Sequence, residues 1–114
     1  MKEIVVLVTC ASRKEAERLA ESLVHKRLAA CVNIATSSVK SIYRWKGKVE
    51  TAAEVPIVIK TTRRKFAALE MEIRRLHSYD TPEIIALPIL AGFAPYMKWI
   101  VEAVSDSGGK NRRK

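Results

Sequence analysis

Tyr43-Arg44-Trp45-Lys46-Gly47-Lys48-Val49-Glu50 is the stretch on which the fold turns. Lys46-Gly47-Lys48 has the composition of a tight hairpin turn, with glycine supplying the positive φ that a two-residue loop demands. Backward from the turn, Ala30 to Trp45 carries the strand formers Val32, Ile34, Val39, Ile42 and Tyr43. Thr36-Ser37-Ser38 interrupts that run and predicts a bend or bulge. Forward from the turn, Val49 to Thr61 returns as the partner strand, strongest at Val55-Pro56-Ile57-Val58-Ile59. Pro56 has no N–H to give to a ladder, so this strand is locally an edge or lies at a bulge.

The flanks of the hairpin complete the pattern. Ile4-Val5-Val6-Leu7-Val8 is an uninterrupted, β-branched run and reads as a central strand buried on both faces. Ser12 with Glu15 three residues on is a capping-box spacing. It opens a helix that buries Ala16, Leu19, Ala20, Leu23 and Val24 and ends near Leu28. Thr62 is the expected cap of a second helix, in which Phe66, Leu69, Ile73 and Leu76 share one face. Arg63, Arg64, Glu70, Glu72, Arg74 and Arg75 are its expected wet side. A further strand runs from Glu83 to Ile89. Pro95 opens a last helix with Met97, Ile100, Val101 and Val104 inward.

The order is β-α-β-β-α-β with a terminal helix, an α+β arrangement of the ferredoxin-like, split-βαβ type with an extended central hairpin. Two helices cover only one face of a four-stranded sheet. Strand one and Ile57-Val58-Ile59 are apolar on both faces, so the second face calls for another copy of the chain.

The bulk numbers fit this reading. The chain has 114 residues, 48% of them apolar, which predicts one domain over residues 1–104. Residues 105–114 hold Lys110, Arg112, Arg113 and Lys114 against Asp106 and are expected to form a basic disordered tail. The tail carries +3 of the total charge of +9, leaving +6 on the body, a value that does not by itself indicate a nucleic-acid protein. No run approaches the ~20 apolar residues of a membrane span. Met1-Lys2-Glu3-Ile4 enters a strand without a signal pattern, which predicts a cytoplasmic protein with no membrane partner. Cys10 and Cys31 are too few for a disulfide framework and form no Cys-x-x-Cys pair.

The chemistry-bearing residues concentrate in His77-Ser78-Tyr79-Asp80-Thr81-Pro82-Glu83, at a strand entrance. His77 follows a helix end and is read either as a partner of that helix's last carbonyls or as a metal contact. Asp80 reads as a turn former. Lys60 stands in a strand and, if buried, needs a carboxylate such as Glu54 or Glu83. Tyr43 and Trp45 read as interface anchors. Arg63-Arg64-Lys65 opens a helix, where the dipole disfavours cations, and reads as a solvated end rather than a phosphate site.

Ala30-Cys31-Val32-Asn33-Ile34, Ser41 to Glu50, Glu54, Ile59-Lys60-Thr61, His77 to Ile84, Leu87-Pro88-Ile89, and Tyr96 with Trp99 together resemble the CutA divalent-cation-tolerance family, over residues 4 to about 104. The resemblance implies a trimer similar to the PII signalling proteins and a polar cleft at the subunit interface. It also implies a link to copper or another divalent metal, and no established enzymatic activity. The residues it marks for the cleft are Cys31, Tyr43, Trp45, Glu54, Lys60, Tyr79, Glu83 and Trp99. A cluster of Lys, Tyr, Glu and His there suits an anionic or zwitterionic small molecule. Copper-binding members use a cysteine in the first strand and two adjacent histidines. Here the strand position is Val8, with Cys10 two residues on, and the pair is Leu76-His77. His77 is the remaining metal candidate, and one imidazole falls short of the three or four ligands a transition metal takes.

The leading expectation is therefore a non-enzymatic homotrimer that binds copper or other divalent ions in the response to metal ions. The alternative is a PII-like small-molecule sensor with its ligand in the inter-subunit cleft, although no glycine-rich phosphate cradle is present. RNA binding on the same topology needs aromatics on the middle strands, and Ile4 to Val8 and Val55 to Ile59 have none. An acyl-phosphate hydrolase needs an arginine-bearing, glycine-containing loop after strand one, where only Arg13 stands.

Overall fold

The computed structural model describes residues 2–106. The elements run β1 (Glu3–Cys10), α1 (Arg13–His25), β2 (Cys31–Ile34), β3 (Val39–Trp45), β4 (Lys48–Thr62), a 3-10 turn (Arg63–Lys65), α2 (Phe66–Leu76), β5 (Ile84–Pro88) and α3 (Ala94–Ala103). Strands β2-β4-β1-β5 lie in that order in one antiparallel sheet, and β3 pairs with the outer part of β4. This is the ferredoxin-like arrangement expected. Ser105 and Asp106 follow α3 in a turn; the remainder of the expected basic tail, 107–114, lies outside the described residues.

The second strand is two strands, and the cause is Pro56. Ile34 pairs with Ile57 and Val39 with Glu54, so residues 35–38 stand opposite Val55 and Pro56 alone. A proline cannot donate across the ladder, and the chain answers with a wide bulge there, held by Ala35 N–H donating to the Pro56 carbonyl at 3.1 Å. Beyond the bulge β3 and β4 continue as a two-stranded arm. Lys46 (φ 50°) and Gly47 (φ 80°) close it with the two positive φ values of a type I′ turn. The arm makes the molecule long, 48 × 26 × 26 Å.

The core lies on one face of the sheet. Along β1, Ile4, Val6, Val8 and Cys10 are buried against Leu19, Leu23, Leu69 and Ile73 of α1 and α2. Val5 and Leu7 point the other way and are only half-buried. Their cross-strand neighbours Leu87 and Ile85 are each 49% exposed. The burial of both faces of β1 expected from its composition is thus met on one face by this chain alone.

Two expectations about the helices change. Thr62 ends β4 and its side chain caps no helix N–H; the 3-10 turn intervenes before α2. Glu72, assigned to the wet side of α2, is 8% exposed. Its carboxylate accepts from Ser22 Oγ (2.5 Å), Lys26 Nζ (3.0 Å) and Arg75 (2.8 and 3.0 Å), tying α1 to α2. The bonds from Arg75, then Ser22 and Lys26, hold this carboxyl well below the usual carboxylate range. A carboxyl whose folded pKa is depressed contributes stability above its unfolded value, lost as pH falls toward the folded one. The denaturation midpoint should therefore fall as pH drops below about 4.5, the ordinary glutamate value. In Glu72→Gln, urea titrations across pH 2–6 should show a lower plateau and a shallower acid decline; an unchanged decline would exclude Glu72 as its source.

Candidate functional site

The base of the arm, the end of β1 and the loop before β5 enclose an open cleft of about 640 Å3. Ser41, Ile42, Tyr43 and Trp45 line it from β3, Glu54 from β4, Thr9 from β1, and Tyr79, Asp80, Thr81 and Glu83 from the loop. Strand periodicity places Glu54 on the same side of β4 as Pro56 and Val58, the side away from α1 and α2. Glu54 is nonetheless 6% exposed, because the loop folds over it and the Tyr79 hydroxyl hydrogen-bonds to its carboxylate. Burial, and then this bond to Glu54, push the Tyr79 phenol up to about 12.

Five of the eight residues marked for the cleft meet there: Tyr43, Trp45, Glu54, Tyr79 and Glu83. Cys31 and Lys60 stand opposite one another on β2 and β4, outside the cleft, where Lys60 Nζ donates to Asn33 Oδ1. Lys60 is only half-buried, so the carboxylate that burial would demand, Glu54 or Glu83, is not needed and an amide oxygen serves as its partner. Trp99 packs on Tyr96 along α3, with ring centroids 5.5 Å apart. The lining therefore differs in charge from the expected Lys/Tyr/Glu/His cluster. It holds three carboxylates and no basic side chain.

His77 lies beneath the cleft, its side chain sealed from solvent. Nδ1 accepts from Tyr79 N–H (3.0 Å), and Nε2 lies 2.8 Å from the Thr9 carbonyl, to which its hydrogen is donated. The first bond fixes the tautomer that makes the second. The last carbonyls of α2 are not its ring's partners; its backbone N–H takes that role, donating to Ile73 O at 2.8 Å. Through Thr9 and Tyr79 the imidazole joins the floor of the cleft to its lid.

Beside His77 are two groups that sequence reasoning left out of the site. Cys10, Glu15 and His77 bring a thiol, a carboxylate oxygen and a ring nitrogen within 4.8 Å of one another. The donor set does not fit a metal as folded. Glu15 Oε2 accepts from Ala11 N–H and Oε1 from Ser78 N–H, each at 2.8 Å. Burial alone would raise that carboxyl, but the bonds from Ala11 and Ser78 outweigh it and hold it below its ordinary value. Burial, with the nearby charges of Glu15 and Glu54, pushes the Cys10 thiol up to about 12, away from the thiolate a metal requires. Both ring nitrogens are taken. The capping box was legible as a helix start; Ser12 Oγ does accept from Glu15 N–H at 3.1 Å. Nothing in the sequence showed that the same carboxylate would reach the loop at Ser78.

The sequence and the ferredoxin-like sheet with its long arm match a known family. Residues 4–103 match the family described as CutA1 divalent ion tolerance protein. The chain belongs to that family. The divalent-cation tolerance protein CutA of Archaeoglobus fulgidus is 44% identical over 99 residues, which are 87% of this chain and 95% of that protein. Human Protein CutA is 46% identical over 103 residues, 88% of this chain but 57% of that longer protein. The solved CutA structure from Archaeoglobus fulgidus has a TM-score of 0.87 at 43% identity, covering 90% of this chain and 99% of that one. Cut A1 from Thermus thermophilus has a TM-score of 0.86 at 44% identity, covering 89% and 97%. Within this CutA1-type frame the acidic cleft leaves its oxygen donors open to a cation, whereas the sealed Cys10–Glu15–His77 group has its donors already engaged.

Proposed function

We propose that this chain is a non-enzymatic, homotrimeric divalent-cation-tolerance protein that takes up divalent ions, Cu2+ foremost, in the cleft at the base of the arm. The observation that carries this reading is charge. In a chain of net charge +9, the cleft gathers Glu54, Asp80 and Glu83 with no basic counter-charge. Such a cavity concentrates cations and repels anions. Its donors are carboxylate, hydroxyl and phenol oxygens, and among first-row divalent ions Cu2+ binds a given oxygen or nitrogen set most tightly. The same charge weighs against the PII-like alternative in its anionic-ligand form. His77 acts here as a positioning residue.

Trimerisation is supported by apolar surface left over on the monomer. Val5, Leu7, Ile85 and Leu87 share the open sheet face. Ile42, Val49, Tyr43 and Trp45 expose 42–65% of their surface along the arm. A neighbouring copy that covers the sheet and receives the arm would also wall the cleft, which is open on the single chain. The test is a calorimetric titration with Cu2+ and Zn2+, run beside light scattering on the same sample. The expected result is saturable binding with Cu2+ tighter than Zn2+, by a particle of three chains. Absence of heat with both ions, or a monomer, would overturn the proposal.

A further inference from the structure

A second cavity, of about 450 Å3, lies at the far end of β4, where the 3-10 turn begins and α3 ends. Its electrostatic character is opposite to that of the acidic cleft. Lys2, Arg63, Arg64 and Lys65 line it, facing Asp106 as the one acidic group of the lining. Lys65 reaches Asp106 at 3.9 Å. Among the described residues, the side chains of Lys2, Arg63 and Arg64 form no ion pair or hydrogen bond. Arg63 N–H donates to the Lys2 carbonyl at 2.8 Å, which pins both residues to the rim. Cations held around one concavity repel one another unless an anion sits between them.

Thr62 supplies an independent observation. It is 6% exposed, lines this cavity, caps no helix N–H, and its hydroxyl has no hydrogen-bond partner among the described residues. No sealed side-chain oxygen or nitrogen in the described residues lacks a partner, so the hydroxyl opens into the cavity. An accessible hydroxyl with no protein partner beside a ring of cations can donate to an anion that enters the cavity. The opposite wall is apolar, from Val101 and Val104 of the last helix.

We propose that this cavity binds a small organic phosphate. Arg63, Arg64, Lys2 and the Thr62 hydroxyl hold the phosphate oxygens, and Val101 and Val104 take the apolar part. The volume lies within the range of ligand pockets and well above what a bare phosphate fills. Arg63-Arg64-Lys65, read from sequence as a solvated helix end, is on this view the cationic half of a binding site. The proposal does not depend on metal binding in the cleft, which meets β4 mid-way along its length, at Glu54.

The test is calorimetry on the full chain with phenyl phosphate, inorganic phosphate and benzoate as probes. Expected are saturable binding of phenyl phosphate, weaker binding of inorganic phosphate, and none of benzoate. Thr62→Val keeps the shape of the side chain and removes the donor, and should weaken phenyl phosphate by about tenfold, the worth of one hydrogen bond to a charged group. Arg64→Gln, at an exposed position, should weaken it at least as much. Unchanged affinity in Arg64→Gln, no binding of phenyl phosphate at millimolar concentration, or inorganic phosphate binding as tightly as phenyl phosphate would each overturn the proposal.

Discussion

His77→Ala should lower the stability of the folded chain by about 3 kcal/mol, from lost packing together with two orphaned buried partners. The imidazole is sealed and uses both nitrogens. Removing it strips the Thr9 carbonyl of a donor and the Tyr79 N–H of an acceptor, and leaves a ring-sized void under the cleft. The loss should appear in urea denaturation as a lower midpoint with an unchanged slope. A second readout separates a positioning role from packing alone. The Tyr79 phenol, held up to about 12 by burial and by Glu54, should titrate closer to the ordinary tyrosine value once the loop loosens. An alkaline absorbance titration that leaves one tyrosine as high as in the parent chain would show that His77 does not hold the loop.

Leu87→Glu should convert the proposed trimer to monomers. Leu87 sits opposite Val5 on the open sheet face and outside the core cluster. A carboxylate there is solvated in a lone chain, so the fold itself should survive, which circular dichroism would confirm. In an assembly built through that face, each copy would bury a charge against apolar surface, at a cost of several kcal/mol per ion. Light scattering at micromolar concentration should then give a mass near 12.8 kDa in place of three times that value. An oligomer of unchanged mass would place the subunit contact elsewhere.

The sequence was most readable where local chemistry decides structure. Gly47 made the hairpin turn visible, Ser12 and Glu15 the start of α1, and Phe66, Leu69 and Ile73 the buried face of α2. It was least readable where a partner distant in sequence decides. Glu72 looked solvent-facing from its helical position, yet Ser22, fifty residues earlier, turns it into an inter-helix tie. Lys60 was expected to need a carboxylate only if buried; it stays half-buried, and the β2–β4 register sets Asn33 within its reach. Pro56 pointed to an edge or a bulge and Thr36-Ser37-Ser38 to a bend or bulge, where the strand does divide into β2 and β3; that the two features face one another followed only once the register was known. For the cleft, family motifs brought together Tyr43, Trp45, Glu54, Tyr79 and Glu83, while Thr9, Ser41, Ile42, Asp80 and Thr81 join them only through tertiary closure. Lys60's absence from that lining changes the site's sign, and with it the class of ligand.

The acidic cleft and the sealed Cys10–Glu15–His77 group make opposite predictions for a divalent ion, and one comparison separates them. Cu2+ calorimetry on the double variant Glu54→Gln/Glu83→Gln, set beside Cys10→Ala, weighs the open cleft against the sealed thiol. Both glutamine substitutions keep side-chain size, and the amide oxygen introduced at position 54 can still accept from the Tyr79 hydroxyl. The expected result is that the double variant loses Cu2+ affinity by about a hundredfold, two charged contacts' worth, while Cys10→Ala stays within about twofold of the parent, because a protonated, buried thiol is no ligand. Full affinity in the double variant with loss in Cys10→Ala would contradict cation uptake in the acidic cleft.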